Sequence, residues 1–173
     1  MFRKWGVVGF FIMIVVLGMF NIQQEESSAE ESPEKGMMAP DFTLTSVDGE
    51  TIKLSSLRGK KVVLNFWTSW CPPCQEELPD IQAFAKTTED KSIVTIGVNL
   101  TGEESGKEAV HSFVKQSNLT YPILYDMNDV AQKLYRIVVI PTTYVIDEDG
   151  VIKEKIVGPV TKEQLLTITE SRS

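Results

Sequence analysis

From about Met37 onward the apolar residues follow two periods. In FTLTSVDGETIKL, Phe42 to Leu54, they alternate with polar residues in two short runs around Asp48-Gly49, which predicts a β-hairpin. KVVLNFW, Lys61 to Trp67, and SIVTIGVNL, Ser92 to Leu100, are continuous runs rich in β-branched and aromatic residues, the pattern of strands buried on both faces. Leu78, Ile81, Phe84 and Ala85 recur at helical spacing and predict a helix over Cys74 to Lys86. Ala109, Val110, Phe113 and Val114 place another over Ser105 to Ser117; Val130, Ala131 and Leu134 place a short one over Asn128 to Tyr135. Thr142 to Asp147 and Val151 to Val157 form a second hairpin, and Thr161 to Thr169 a closing helix. Strands alternating with helices and ending in a hairpin predict an α/β domain: a mixed central sheet, helices on both faces and an N-terminal β-hairpin extension.

Ahead of this domain the pattern is of another kind. WGVVGFFIMIVVLGMF, Trp5 to Phe20, is uncharged and follows Arg3 and Lys4, the layout of an export signal. Sixteen residues span about 24 Å, a little short of a bilayer core of about 30 Å, and Asn21 and Ile22 extend the run at the interface. The small residues Ser27-Ser28-Ala29 lie beyond Glu25 and Glu26, a poor position for signal cleavage, so residues 1–22 are expected to be an uncleaved anchor rather than a cleaved signal. No cysteine follows the run, which excludes lipoprotein processing. The positive flank predicts an N-terminus in the cytoplasm and a single-pass chain whose domain is extracytoplasmic. Residues 23–36, QQEESSAEESPEKG, are acidic and almost free of apolar side chains, and are expected to be a disordered linker. Residues 37–173 are then the folded domain.

Composition narrows the chemistry. The net charge of -7 and the lack of a long basic run exclude nucleic acid as a partner. The 173 residues include only two cysteines and one histidine, too few for the four ligands of a structural zinc site. Gln75 follows Cys74, where a c-type haem attachment site needs histidine.

What remains is the pair itself, in FWTSWCPPCQEELP. A strand runs into Cys71-Pro72-Pro73-Cys74, which opens a helix. Proline is tolerated in a first helical turn. The free N–H groups and the positive dipole end there stabilise a thiolate, so Cys71 is expected to be the nucleophile and Cys74, three residues on and more buried, the resolving thiol. A bridge closing so short a loop adds little stability, which favours a redox-active pair over an inert staple.

W-C-P-P-C resembles the active site of thioredoxin-like proteins, and the resemblance runs from about Met37 to Thr169. Ile140-Pro141-Thr142 looks like that fold's cis-proline segment, Pro79 like its helix-kinking proline, and Asp147 to Leu165 like its final hairpin and the glycine before the last helix. Within that fold the chain is most similar to extracytoplasmic thiol-disulfide oxidoreductases of the ResA, StoA and TlpA type. N-F-W-T-S-W-C-P-P-C with its following E-L-P, V-N-L and I-P-T-T fit the StoA-like pattern; ResA-like proteins have a glutamate where Pro72 stands. Thioredoxin has a buried aspartate at the position of Asn65. Asn65 cannot carry a proton, so another group must serve Cys74, and the resemblance assigns that part to Glu77, on nearly the same helix face. Burial there is expected to raise its pKa.

The resemblance implies a membrane-tethered reductase of disulfides in exported proteins, for spore cortex synthesis or, alternatively, for the haem-binding cysteines of apocytochrome c. It also implies a CcdA-like membrane electron donor, a monomer, and no cofactor beyond the Cys71-Cys74 disulfide. Trp70, Pro72, Pro73, Ile140 and Pro141 would contact the substrate chain, with Pro141 presenting backbone polar groups to it. Trp67 is expected in the core and His111 on the surface; spacing gives Tyr121-Pro122 and Glu103-Glu104 no definite role. Copper delivery would want three residues between the cysteines and a distal histidine. A thiol peroxidase signature would want proline in place of Leu64.

Overall fold

The computed structural model describes residues 32–89 and 92–170. The apolar run at Trp5 to Phe20 and most of the acidic stretch behind it lie outside the described residues. Among those described, no helix is long and apolar enough to cross a membrane.

The strands and helices are, in chain order: β1 (Thr43–Ser46), β2 (Thr51–Lys53), β3 (Lys61–Trp67), α1 (Pro72–Thr87), β4 (Ile93–Asn99), α2 (Lys107–Gln116), β5 (Ile123–Tyr125), α3 (Val130–Tyr135), β6 (Thr142–Ile146), β7 (Ile152–Val157) and α4 (Lys162–Glu170), all but β5 expected. The strands make one mixed sheet in the order β2-β1-β5-β4-β3-β6-β7. β3, β4 and β5 run parallel, and the hairpin strands on both flanks run antiparallel to their neighbours. β5 was not foreseen: three residues between Pro122 and Asp126 are too few to show a period.

Alternation along β3 divides the core. Val63 and Trp67 face α1, α2 and α4, together with Leu78, Ile81, Phe84, Val110 and Leu165. Leu64 and Phe66 face the other side, where Phe42, Leu54, Ala131, Tyr135 and Tyr144 cover them. Phe66, Tyr135 and Tyr144 meet with ring centroids 5.0–6.1 Å apart, the tilted and edge-on arrangements that aromatic quadrupoles favour. On the first face, Gly97 of β4 is a packing requirement. A Cβ there would come within 2.7 Å of Ile123 Cδ1 and 3.0 Å of Trp67 Nε1. The missing side chain lets Trp67 lie across the sheet at the end of β3, where the cysteine turn begins.

One boundary differs from expectation. Composition assigns Ser32 to Gly36 to the linker, yet these residues are bonded to the domain. Gly36 N–H donates to Ile152 O at 2.8 Å, and Ser32 Oγ donates to Tyr135 O at 3.3 Å. Lys155 Nζ donates to Ser32 Oγ at 2.6 Å and pairs with Glu34; Lys35 pairs with Glu154 at 3.0 Å. The cause is the open edge of β7: its unpaired backbone groups and alternating charges find partners in a segment whose charges are complementary.

Candidate active site

The site lies at the carboxyl ends of β3 and β4, the usual place for function in a sheet with parallel strands. β3 ends at Trp67, and Cys71 is the N-cap of α1. Pro72 and Pro73 follow as the first helical residues and carry no N–H. The first N–H of the helix is therefore that of Cys74, which donates to Cys71 Sγ at 3.3 Å. The dipeptide thus does more than fit the helix: it leaves the sulfur with one directed donor at the positive end of a 16-residue helix. Cys71 and Cys74 are joined by a disulfide with Cα atoms 5.3 Å apart. Cys74 is fully buried, while Cys71 retains 4% exposure, which makes Cys71 the more accessible of the two.

Glu77 lies one turn beyond Cys74 and is 2% exposed. Its two oxygens are held from different parts of the chain. Asn65 Nδ2 donates to Oε1 at 2.7 Å, and Val160 N–H donates to Oε2 at 2.9 Å. Val160 reaches this point because the chain turns at Gly158, whose φ of +102° suits glycine, and whose N–H donates to Pro141 O at 2.9 Å. Burial pushes the Glu77 carboxyl up from an ordinary 4.5 to about 7, against the lowering effect of the bonds from Val160 and Asn65. The expectation of a raised pKa is met.

The departure at Asn65 now has a local reason. Asn65 Nδ2 donates to Glu77 and also to Thr143 Oγ1 at 2.9 Å. An aspartate in its place would, when both groups are ionised, set two carboxylates at hydrogen-bond distance with no donor between them. Asn65 and Glu77 therefore form a matched pair: the carboxylate sits on the helix, and the strand supplies its donor.

The remaining expected residues are spread around this centre. Trp70 is 55% exposed, its Nε1 donating to Glu103 O at 3.0 Å. Pro72 is exposed and Pro73 half-buried. The register that sets Thr142 opposite Phe66 brings the cis Ile140-Pro141 peptide alongside the end of β3. The Pro141 carbonyl accepts from Gly158 N–H; Pro141 has no N–H, whereas its neighbour Ile140 carries both backbone groups. Trp67 is fully buried and His111 exposed, as expected. Tyr121 is buried, its hydroxyl pushed up by burial and by the Glu77 charge. It belongs to the interior and not to a partner surface. Among the described residues, no group of three or more His, Cys, Asp and Glu side chains is placed to hold a metal ion.

Sequence reasoning missed Val160, which acts through its backbone and so leaves no residue-type signal. It also gave no role to Ser69, Asn99 and Glu104. Glu104 Oε1 accepts from Ser69 N–H at 2.5 Å and from Asn99 Nδ2 at 2.8 Å, and its Oε2 accepts from Ser69 Oγ at 2.6 Å.

Comparison with known proteins agrees with this geometry. The profile of the AhpC/TSA family matches residues 36–155. The thioredoxin-like protein YneN of Bacillus subtilis is 38% identical over 95% of this chain and 96% of its own. Sporulation thiol-disulfide oxidoreductase A of Bacillus subtilis is 36% identical over 92% of this chain and 94% of its own. The crystal structure of StoA from that organism superposes with a TM-score of 0.70, covering 76% of this chain and 98% of that one at 39% identity. Thiol-disulfide oxidoreductase ResA of Bacillus cereus is 35% identical over 89% of this chain and 88% of its own. With a disulfide at a helix N-terminus, a thioredoxin-like sheet and these relatives, the chain belongs to the AhpC/TSA family as a thiol-disulfide oxidoreductase of the ResA and StoA type.

Proposed function

We propose that this oxidoreductase runs as a reductase of disulfides in exported proteins, with Cys71 as nucleophile, Cys74 as resolving thiol and Glu77 as the base that serves Cys74. The observation that carries this reading is the buried Glu77 carboxyl, poised near neutral pH one helical turn from Cys74. A general base is most effective when its pKa lies near the working pH.

Cys71 thiolate attacks one sulfur of the partner's disulfide. That S–S bond breaks, a mixed disulfide forms, and the released partner thiolate takes a proton. Cys74 then passes its proton to Glu77 and attacks Cys71 Sγ. The Cys71-Cys74 bond forms, the mixed disulfide breaks, and the second partner thiolate leaves and is protonated. Two electrons pass from the cysteine pair to the partner. A CcdA-like membrane protein is the proposed source of the electrons that reduce the pair again, and residues 5–22 the proposed tether that keeps the domain outside the cell membrane.

A partner in spore cortex synthesis is favoured by the StoA-like sequence around the cysteines; the ResA relatives support apocytochrome c as the second reading. The peroxidase alternative gains nothing from position 64. Leu64 is fully buried inside β3, where proline would remove a ladder hydrogen bond. The test is a Cys74→Ser variant expressed in growing and in sporulating cells. A mixed disulfide on Cys71 with an exported protein supports the mechanism, and the identity of the adduct chooses between cortex enzyme and apocytochrome. No adduct with any exported protein contradicts it. A redox potential near the strong-oxidant end, about -120 mV, would contradict the reducing direction alone.

A further inference from the structure

All three polar groups of Ser69, two residues before Cys71, are engaged. Its N–H and Oγ both donate to Glu104, one to each carboxylate oxygen, at 2.5 and 2.6 Å. Its carbonyl accepts from Gln75 Nε2 at 2.6 Å. Glu104 is anchored in turn: Asn99 Nδ2 donates to Oε1 at 2.8 Å, and Thr101 Oγ1 holds Asn99 Oδ1 at 2.9 Å. The neighbouring strand ends and the loop are joined beside it, by Leu100 N–H to Trp67 O at 3.0 Å and by Trp70 Nε1 to Glu103 O at 3.0 Å. The loop is braced from behind by Gln132 Nε2, which donates to Glu103 Oε1 at 2.6 Å.

We propose that Glu104 is a positioning residue for the exchange reaction: its forked grip on Ser69 fixes the Thr68–Trp70 turn so that Cys71 Sγ stays beneath the first N–H of α1. This rests on the reading of Cys71 as the attacking thiolate. The form of the contact argues for geometry over charge. A carboxylate near a thiol raises the thiol's pKa, so as a charge alone Glu104 opposes the nucleophile. As a fork it fixes two donors of one residue at once, and a nucleophile shifted by about 1 Å can lose on the order of 10²-fold in rate. The same contact joins the ends of β3 and β4, which carry the turn and the loop.

The test uses the full chain with Cys74→Ser, so that Cys71 is the only thiol, and compares Glu104 with Glu104→Ala and Glu104→Gln. Two quantities are read: the pH midpoint of Cys71 alkylation by iodoacetamide, and the rate of Cys71 attack on oxidised glutathione. Glu104→Ala is expected to raise the midpoint, because Sγ loses its directed N–H, and to slow attack about tenfold at pH 7. Glu104→Gln is expected to stay within about threefold of the parent, since its amide can accept from Ser69 N–H and donate to Ser69 Oγ. An unchanged or lowered midpoint in Glu104→Ala overturns the proposal, as does a glutamine variant as slow as the alanine one. If Cys71 titrates like an ordinary thiol in the parent, the nucleophile assignment fails, while the Ala–Gln difference in attack rate still decides the clamp. Should Glu104→Ala not fold, Ser69→Ala removes one arm of the fork. It is expected to slow attack about threefold, and no slowing overturns the proposal.

Discussion

Two glutamates flank the same disulfide, and the fold treats them differently. Glu77 lies beneath Cys74 inside the helix-covered face, with one donor from a strand and one from the entry to α4. Glu104 holds the turn that leads into Cys71, with two of its three donors from a single serine of that turn. Burial sets Glu77 near neutral pH, where it can take or give a proton. Glu104, half-buried, holds the Ser69 backbone and hydroxyl and the Asn99 amide. The contrast shows that a carboxylate's part in the site is set by which element supplies its donors and how far water is excluded, and residue type alone does not reveal it.

The strongest way to break this contrast is Asn65→Asp. It replaces the donor to Glu77 with a second carboxylate in a buried site, and is expected to cost about 3–4 kcal/mol of stability at pH 8, with much of the loss recovered at acid pH. Denaturant titrations at pH 8 and pH 5 measure this directly. Glu77→Gln comes next. The folded protein holds the Glu77 proton more tightly than the unfolded chain, so the wild type has its full contribution from this group below about pH 4.5 and loses it as pH rises through 7. The stability of the variant relative to wild type should therefore rise by about 2–3 kcal/mol between pH 4.5 and 8. A difference that stays flat across that range would remove the raised pKa from the account.

On the rim, Ser69→Ala and Glu104→Ala should be non-additive by about 1 kcal/mol in a double-mutant cycle on unfolding, since each removes the other's partner. Additive losses would mean that the fork has no energetic unity. The smallest effect is expected at His111, exposed and outside the site: His111→Ala should change stability by less than about 0.5 kcal/mol and leave exchange activity unaltered.

Much of the fold was legible. β3 and β4 announce themselves as apolar runs because both their faces are covered, and α1 and α2 by their apolar stripes. β5 escaped because three residues carry no period. Ser32 to Gly36 read as linker because the β7 edge that captures them is more than a hundred residues away. The cysteine pair, Glu77 and the substitution at Asn65 could all be seen in the sequence because they sit at short, fixed spacings. The hydrogen bond between Asn65 and Glu77 could not, nor could the grip of Glu104 on Ser69. The first depends on how α1 packs on β3, the second on a turn and a loop that bring together two residues 35 apart in the chain.

The most direct test of the central claim is the pH profile of mixed-disulfide resolution. In wild type the rate at which Cys74 displaces a thiol from Cys71 should rise through an apparent pKa of about 7. In Glu77→Gln that step should vanish, with the rate at pH 7.5 reduced by about 10- to 100-fold. The same profile and the same rate in both proteins would contradict Glu77 as the proton acceptor for Cys74.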